Sequence, residues 1–147
     1  MTILPVWENR KQYLDLLLLG DEQESMIDRY LQRGDLYVCL DPGAVAVCVV
    51  TDEGSGVLEL QNLAVRPDCR RQGYGRAMIG FLCRTYAGKF AVLQAGTGDS
   101  PLTVPLYEAC GFAVVGRETD YFLRHYDHPI FEAGVRLRDR VILQKSI

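Results

Sequence analysis

The chain of 147 residues is predicted to form one mixed α/β (α+β) domain over 1–147. Three observations predict it. Three apolar runs separated by short turns fill 35–65, the pattern of an antiparallel meander. A strand–helix–strand unit follows over 57–95, and its crossover makes the two strands it joins parallel. Hydrophobic residues make up 48% and charged residues 24% of the chain, which excludes disordered and low-complexity classes. The expected architecture is a mixed, mostly antiparallel central sheet with one parallel pair, flanked by helices.

Each element has a local reason. A first helix is expected over 8–19, with Leu14, Leu17 and Leu18 as its apolar stripe and Gly20 at its end. Asp21 is expected to cap a second helix, with Glu24 three residues on, then Met26, Ile27, Tyr30 and Leu31 at helical spacing and Gly34 as the stop. Strands are expected over 35–40 and 44–50, joined by Asp41-Pro42-Gly43. The second reads AVAVCVV, apolar throughout, so both its faces should be buried. A turn at 52–56 leads into a strand over 57–65. A helix over 75–87 carries Ile79, Leu82, Cys83 and Tyr86 inward, and a strand follows over 90–95. A short helix over 104–110 and strands over 112–118 and 138–144 complete the chain.

Composition narrows the function classes. No run approaches the ~20 apolar residues of a membrane span, and the first residues lack the pattern of a secretory signal. The five cysteines are odd in number and none is spaced C-x-x-C, so neither a disulfide framework nor a structural metal site is expected, and a cytoplasmic setting fits. The net charge of -3 argues against nucleic acid. Charge is unevenly placed: residues 1–59 carry a net of -7, whereas 66–89 carry a net of +5 through Arg66, Arg70, Arg71, Arg76, Arg84 and Lys89 against Asp68. A local concentration of arginine in an acidic protein suits a small polyanionic ligand.

That concentration lies in Asn62-Leu-Ala-Val-Arg-Pro-Asp-Cys-Arg-Arg-Gln-Gly-Tyr-Gly-Arg76. Gly73 and Gly75 stand where a strand hands over to a helix, so the backbone can approach a ligand closely. The first N–H groups of that helix have no partner within it and, with the helix dipole, form a site for a diphosphate. A dinucleotide fingerprint fails because its third glycine is replaced by Met78, and a phosphate-binding P-loop fails because Phe81 and Leu82 follow Gly80.

With Arg70, Gly73 and Gly75 in the pattern Arg/Gln-x-x-Gly-x-Gly/Ala, preceded by Leu63-Ala64-Val65 and followed by Leu106-Tyr107-Glu108-Ala109-Cys110-Gly111-Phe112, the sequence resembles the GNAT superfamily of acyl-CoA-dependent N-acetyltransferases over roughly 57–123. The resemblance implies transfer of an acetyl group from acetyl-CoA to a primary amine, by direct attack in a ternary complex. It implies cofactor contacts from Leu63, Ala64, Val65, Arg70, Arg71, Gln72, Gly73, Tyr74, Gly75 and Arg76, with the Leu63 N–H serving the thioester carbonyl. It places Glu59 as base or water-positioner and Tyr107 as the acid beside the cofactor sulfur. Where relatives carry an asparagine on the pantetheine arm, this sequence offers Asp99, Ser100 or neither, with an Asp99 contact to the amine as the alternative, and Glu118, Asp120 and Tyr121 stand where relatives contact the acceptor. Gln94 and Ala95 occupy positions where many relatives place a second acid. No metal is expected, because His125-x-x-His128 has no third ligand. The acceptor is expected to be a small amine or a basic peptide. A protein or peptide acetyltransferase and a non-catalytic acyl-CoA sensor are the rival readings. A homodimer through edge strands is compatible with such a fold.

Overall fold

A strand outside the sequence reading opens the fold. In the computed structural model, which describes residues 1–147, β1 (Thr2–Val6) pairs antiparallel with β2 (Asp35–Leu40). It is short, carries Pro5 and lies at the sheet edge, where a missing N–H costs no ladder bond.

The helix expected over 8–19 is divided into a 3-10 turn, Arg10–Tyr13, and α1 (Leu14–Gly20). The second helix is cut to one turn, α2 (Glu24–Ile27), and turns carry the chain from there to β2. Arg10 explains the shortening. It is 8% exposed, and its guanidinium donates to the carbonyls of Leu31 and Gly34, which draws the turns after α2 onto it alongside their own turn hydrogen bonds. The cap position of α2 is Gln23 rather than the expected Asp21, and it makes no side-chain cap hydrogen bond.

The meander forms as expected. Besides β2 it contains β3 (Ala44–Asp52) and β4 (Val57–Val65). β3 is buried on both faces from Val45 to Thr51. The chain then runs through α3 (Tyr74–Tyr86), β5 (Val92–Gly98), α4 (Thr103–Ala109), β6 (Ala113–Glu118), α5 (Tyr121–His125), the hairpin β7 (Phe131–Glu132) and β8 (Val135–Arg136), and β9 (Arg140–Ser146). Neither α5 nor the hairpin was expected from sequence. The main sheet has the order β1-β2-β3-β4-β5-β9-β6, antiparallel except for the β4–β5 pair.

Two cores cover the two faces. Leu58, Leu60, Leu93, Ala95 and Leu143 pack under α3 with Met78, Ile79 and Leu82, and α4 adds Tyr107. On the opposite face Val47, Val49 and Ala64 pack with Leu16, Leu17, Ile27 and Leu31. A bulge lets β4 serve both: Val49 opposes Asn62 and Val50 opposes Leu60, leaving Gln61 unpaired.

Candidate active site

The site begins where the two parallel strands part. Pairing of β4 with β5 runs from Val57↔Val92 to Leu60↔Ala95 and stops there, although β4 continues to Val65 and β5 to Gly98. The Arg66 N–H donates to the Val45 carbonyl at 2.8 Å. By the alternation of an antiparallel pair, the backbone groups of Leu63 and Val65 therefore face away from β3, into the gap beside β5. An extended chain with amide groups can add there as a strand would.

The mouth of the gap meets the start of α3. Gly73 has φ +88 and precedes the helix as its cap residue, and Arg71 is also left-handed at φ +62. A side chain at Gly73 would meet nothing within 4 Å, so its glycine answers to φ and to approach from outside. The first helical bond outside the start runs from the Ala77 N–H to the Gly73 carbonyl at 3.0 Å, leaving the amides of Tyr74, Gly75 and Arg76 free. Arg66 closes on Asp68 at 2.7 Å. Arg70, Arg71 and Arg76 are exposed around the free amides. Tyr74 donates to Asp41 at 2.7 Å, which fixes the first turn of α3 to the β2–β3 turn and pushes the phenol up to about 12.

α4 closes the other side of the gap. Gly75 lies against it, with a Cβ there 4.0 Å from Leu106. Tyr107 is buried and packs edge-on against Phe112 at 5.3 Å between centroids. Burial, then the neighbouring Cys110, Cys48 and Glu132, raise its pKa, so it remains a phenol at neutral pH. Ser100 is buried, accepts from the Leu102 N–H and contacts the Thr103 hydroxyl. Asp99 points elsewhere, to Arg117 at 2.8 Å.

Beneath the gap, on the face of α1 and α2, runs a row of polar side chains. Thr51, Glu59, Gln94 and Gln144 are neighbours across four strands. Gln144 donates to Gln94 at 2.8 Å, and Gln94 to one Glu59 oxygen at 2.6 Å. Gln61 donates to the other Glu59 oxygen at 2.7 Å and to Thr51 at 3.1 Å. Arg140 reaches that second oxygen at 3.3 Å and donates to Glu118 at 2.6 Å. The guanidinium crosses Gly96 to do so: a Cβ there would lie 2.0 Å from Arg140 Cζ. The Tyr121 ring covers the guanidinium at 5.2 Å, and the His125 ring packs tilted against Tyr121 at 4.4 Å between centroids.

Asp21 forms the near rim. It accepts from the Tyr30 hydroxyl at 2.9 Å and from the Tyr126 hydroxyl. Tyr30 in turn accepts from Asn62 Nδ2 at 3.1 Å, and the same nitrogen donates to the Leu17 carbonyl at 2.9 Å. Burial raises the Asp21 pKa, against the opposing pull of Tyr126, Tyr30 and Arg29.

A fold with an acyl carrier's groove on one face and a polar cleft on the other defines an acyltransferase. A family model for the acetyltransferase (GNAT) domain matches residues 32–114, and the chain belongs to that family. An uncharacterised N-acetyltransferase of Bacillus subtilis, YvbK, is 34% identical over 140 residues, covering 92% of this chain and 90% of its own. Among solved structures, an IAA acetyltransferase from Bacillus cereus superposes with a TM-score of 0.91 at 31% identity, covering 99% of both chains. A GNAT acetyltransferase from Elizabethkingia anophelis, solved with acetyl-CoA bound, superposes at 0.93 with 28% identity, covering 99% of this chain and 97% of its own.

Of the expected cofactor positions, Leu63 and Val65 turn their backbone groups into the gap, 70–76 lie at its mouth and Tyr107 is on α4 at its far side, whereas Ala64 pairs with β3 and is buried in the opposite core. Glu59 lies on the opposite face, 7% exposed, with donors on both oxygens. Sequence reasoning named Arg140 only as part of a strand and Gly96 not at all. It placed Asp21 as a helix cap and left Tyr126 unassigned. Gly96 is the one signal that bears on this, since a glycine inside a strand marks a close approach.

Proposed function

We propose that this protein transfers an acetyl group from acetyl-CoA to a primary amine by direct attack within a ternary complex. The observation that supports this most is the unpaired stretch of β4 opening beside the free amides of α3. The amides of Tyr74, Gly75 and Arg76, with the three unpaired arginines around them, suit the diphosphate. The outward backbone groups of Leu63 and Val65 suit the amides of the pantetheine arm, and the Leu63 N–H is the donor for the oxygen on which charge develops. Tyr107, a phenol held protonated, gives its proton to the departing sulfur. A thiol has a pKa near ~8.5, so this help is modest. Glu59, paired with Arg140 and accepting from Gln61, serves in this reading as an anchor that fixes both on the acceptor side.

The acceptor is a small amine or a basic peptide. Glu59 and Glu118 outnumber Arg140 in the cleft, and Asp21 adds a further carboxylate. Thiol release from acetyl-CoA across a panel of polyamines, amino acids, aralkylamines and basic peptides tests the assignment. Saturable release with at least one amine and intersecting double-reciprocal lines are expected. Capture of an acetylated protein competent for transfer contradicts direct attack, and silence across the panel despite coenzyme binding favours an acyl-CoA sensor.

A further inference from the structure

We infer that Asp21 is the group that takes the proton from the acceptor's ammonium. The inference rests on the acetyl-transfer reading and assigns a residue that the reading leaves open.

An amine of the lysine type has a pKa near ~10.4, so at neutral pH it arrives charged and must be deprotonated before it attacks. Three carboxylates border the cleft. Glu59 receives two amide donors and a guanidinium, and Glu118 is paired with the same guanidinium. Protonating either one leaves Arg140 short of a counter-charge at a side chain only 13% exposed. Asp21 makes no salt bridge: the Tyr30 and Tyr126 hydroxyls and the Gln23 backbone N–H hold it, and Arg29 stands near without pairing to it. A phenol can donate or accept, so Asp21 can take a proton without stranding a cation.

Its position suits the task. A Cβ on Gly20, the residue before it, would stand 3.2 Å from the Leu63 carbonyl oxygen. The α1 end therefore touches β4 at the residue whose N–H faces the gap. The hydrogen bonds from Asn62 through Tyr30 hold the carboxylate against that same point. Tyr126, whose hydroxyl donates to Asp21, packs edge-on against Tyr121 with ring centroids 6.5 Å apart, and the two rings form an aromatic wall beside the carboxylate. The groups facing Asp21 are Tyr30 and Arg29 from the segment after α2, Tyr121 and Tyr126 from α5 and its exit, and the Gln23 backbone. Burial leaves the carboxyl a stronger proton acceptor than in water.

The step balances as follows. A proton passes from the ammonium to an Asp21 oxygen, and the bonding pair stays on nitrogen. That pair forms the bond to the thioester carbonyl carbon. The carbon–sulfur bond breaks with its electrons on sulfur, Tyr107 gives its proton to that sulfur and is restored by the proton shed by the new amide nitrogen, and Asp21 returns its proton to solvent.

The test is the pH profile of kcat/KM for the full chain with acetyl-CoA. Benzylamine, spermidine and a lysine-rich peptide serve as acceptors that are ammonium ions at neutral pH. Trifluoroethylamine serves as one already neutral. For the wild type the profile should rise through one carboxyl group and stay flat up to the pKa of the ammonium. Asp21→Asn should lower kcat/KM about 10²–10³-fold at pH 7 with the charged amines. It should also abolish the flat region, so that the rate climbs until the amine itself deprotonates, and cost less than about tenfold with trifluoroethylamine. Tyr126→Phe removes a donor that holds the carboxyl pKa down, so the acid limb should move to higher pH; this arm stands even if Asp21→Asn fails to fold. An unmoved limb in Tyr126→Phe, a retained limb in Asp21→Asn, or equal losses with charged and neutral amines overturns the assignment. Absence of turnover by the wild type with every amine, while acetyl-CoA binds, overturns the acetyl-transfer reading itself.

Discussion

Replacing Gly96 by alanine should break the ion pair that organises the acceptor face. Gly96 has an ordinary strand conformation, so the glycine is there for space. A methyl group would stand 2.0 Å from Arg140 Cζ and 2.1 Å from its Nε and Nη2. A guanidinium can usually swing away, but this one is held by Glu59, Glu118 and the Tyr121 ring. Displacing it leaves Glu59, whose side chain is 10% exposed, without its cation. Breaking a buried pair costs about 3–5 kcal/mol. Glu59 keeps its donors from Gln61 and Gln94, and alanine in a strand regains about 0.5–1 kcal/mol over glycine. The net loss should be about 2–3 kcal/mol, or a fall in Tm of roughly 5–10 °C for a chain of this size. Urea unfolding of Gly96→Ala in the wild-type background and in Glu59→Gln/Arg140→Met measures it. In the second background there is neither charge to strand nor guanidinium to displace, and the substitution should be neutral or slightly stabilising. A wild-type-background loss under about 0.5 kcal/mol, or an equal loss in both backgrounds, refutes the reasoning.

Two further outcomes follow from the same geometry. Tyr107→Phe should lower kcat by about tenfold or less, with acetyl-CoA affinity unchanged by calorimetry, because the thiolate is already a tolerable leaving group. His128 donates to Asp127 at 2.6 Å and to Glu22 at 3.1 Å, which raises its folded pKa. The stability it adds is therefore complete below the unfolded value of about 6.5 and is lost as pH rises through the folded pKa. Stability of the wild type should fall across that window relative to His128→Gln, in unfolding curves at pH 5.5 and 8.5.

Much of this was legible in the residues. The meander, the crossover unit and the α3 start follow from apolar periodicity and from Gly73 and Gly75, since local pattern and local backbone freedom decide them. The second helix was over-read because its Met26, Ile27, Tyr30 and Leu31 spacing is helical, whereas the outcome was set by Arg10, some twenty residues upstream. β1 was missed because a five-residue edge strand with a proline carries almost no signal. The acceptor cleft was least legible. Glu59 and Arg140 are 81 residues apart and meet only because β9 inserts between β5 and β6. Asp21 and Tyr126 meet only because α5, itself unpredicted, is carried over to the α1 end. A carboxylate before a helical pattern reads as a cap until tertiary structure supplies its donors.

Titration of acetyl-CoA into the protein by calorimetry, with the wild type and Gly73→Val side by side, tests the central claim most directly. Valine opposes the φ of +88 that aims the α3 amides outward, while its Cβ meets nothing of the protein within 4 Å. Saturable one-to-one binding by the wild type, weakened at least tenfold in a variant that loses about 1–3 kcal/mol of stability but is folded at the titration temperature, is the expected result. Binding that is absent in the wild type, or equal in the two proteins, contradicts the account.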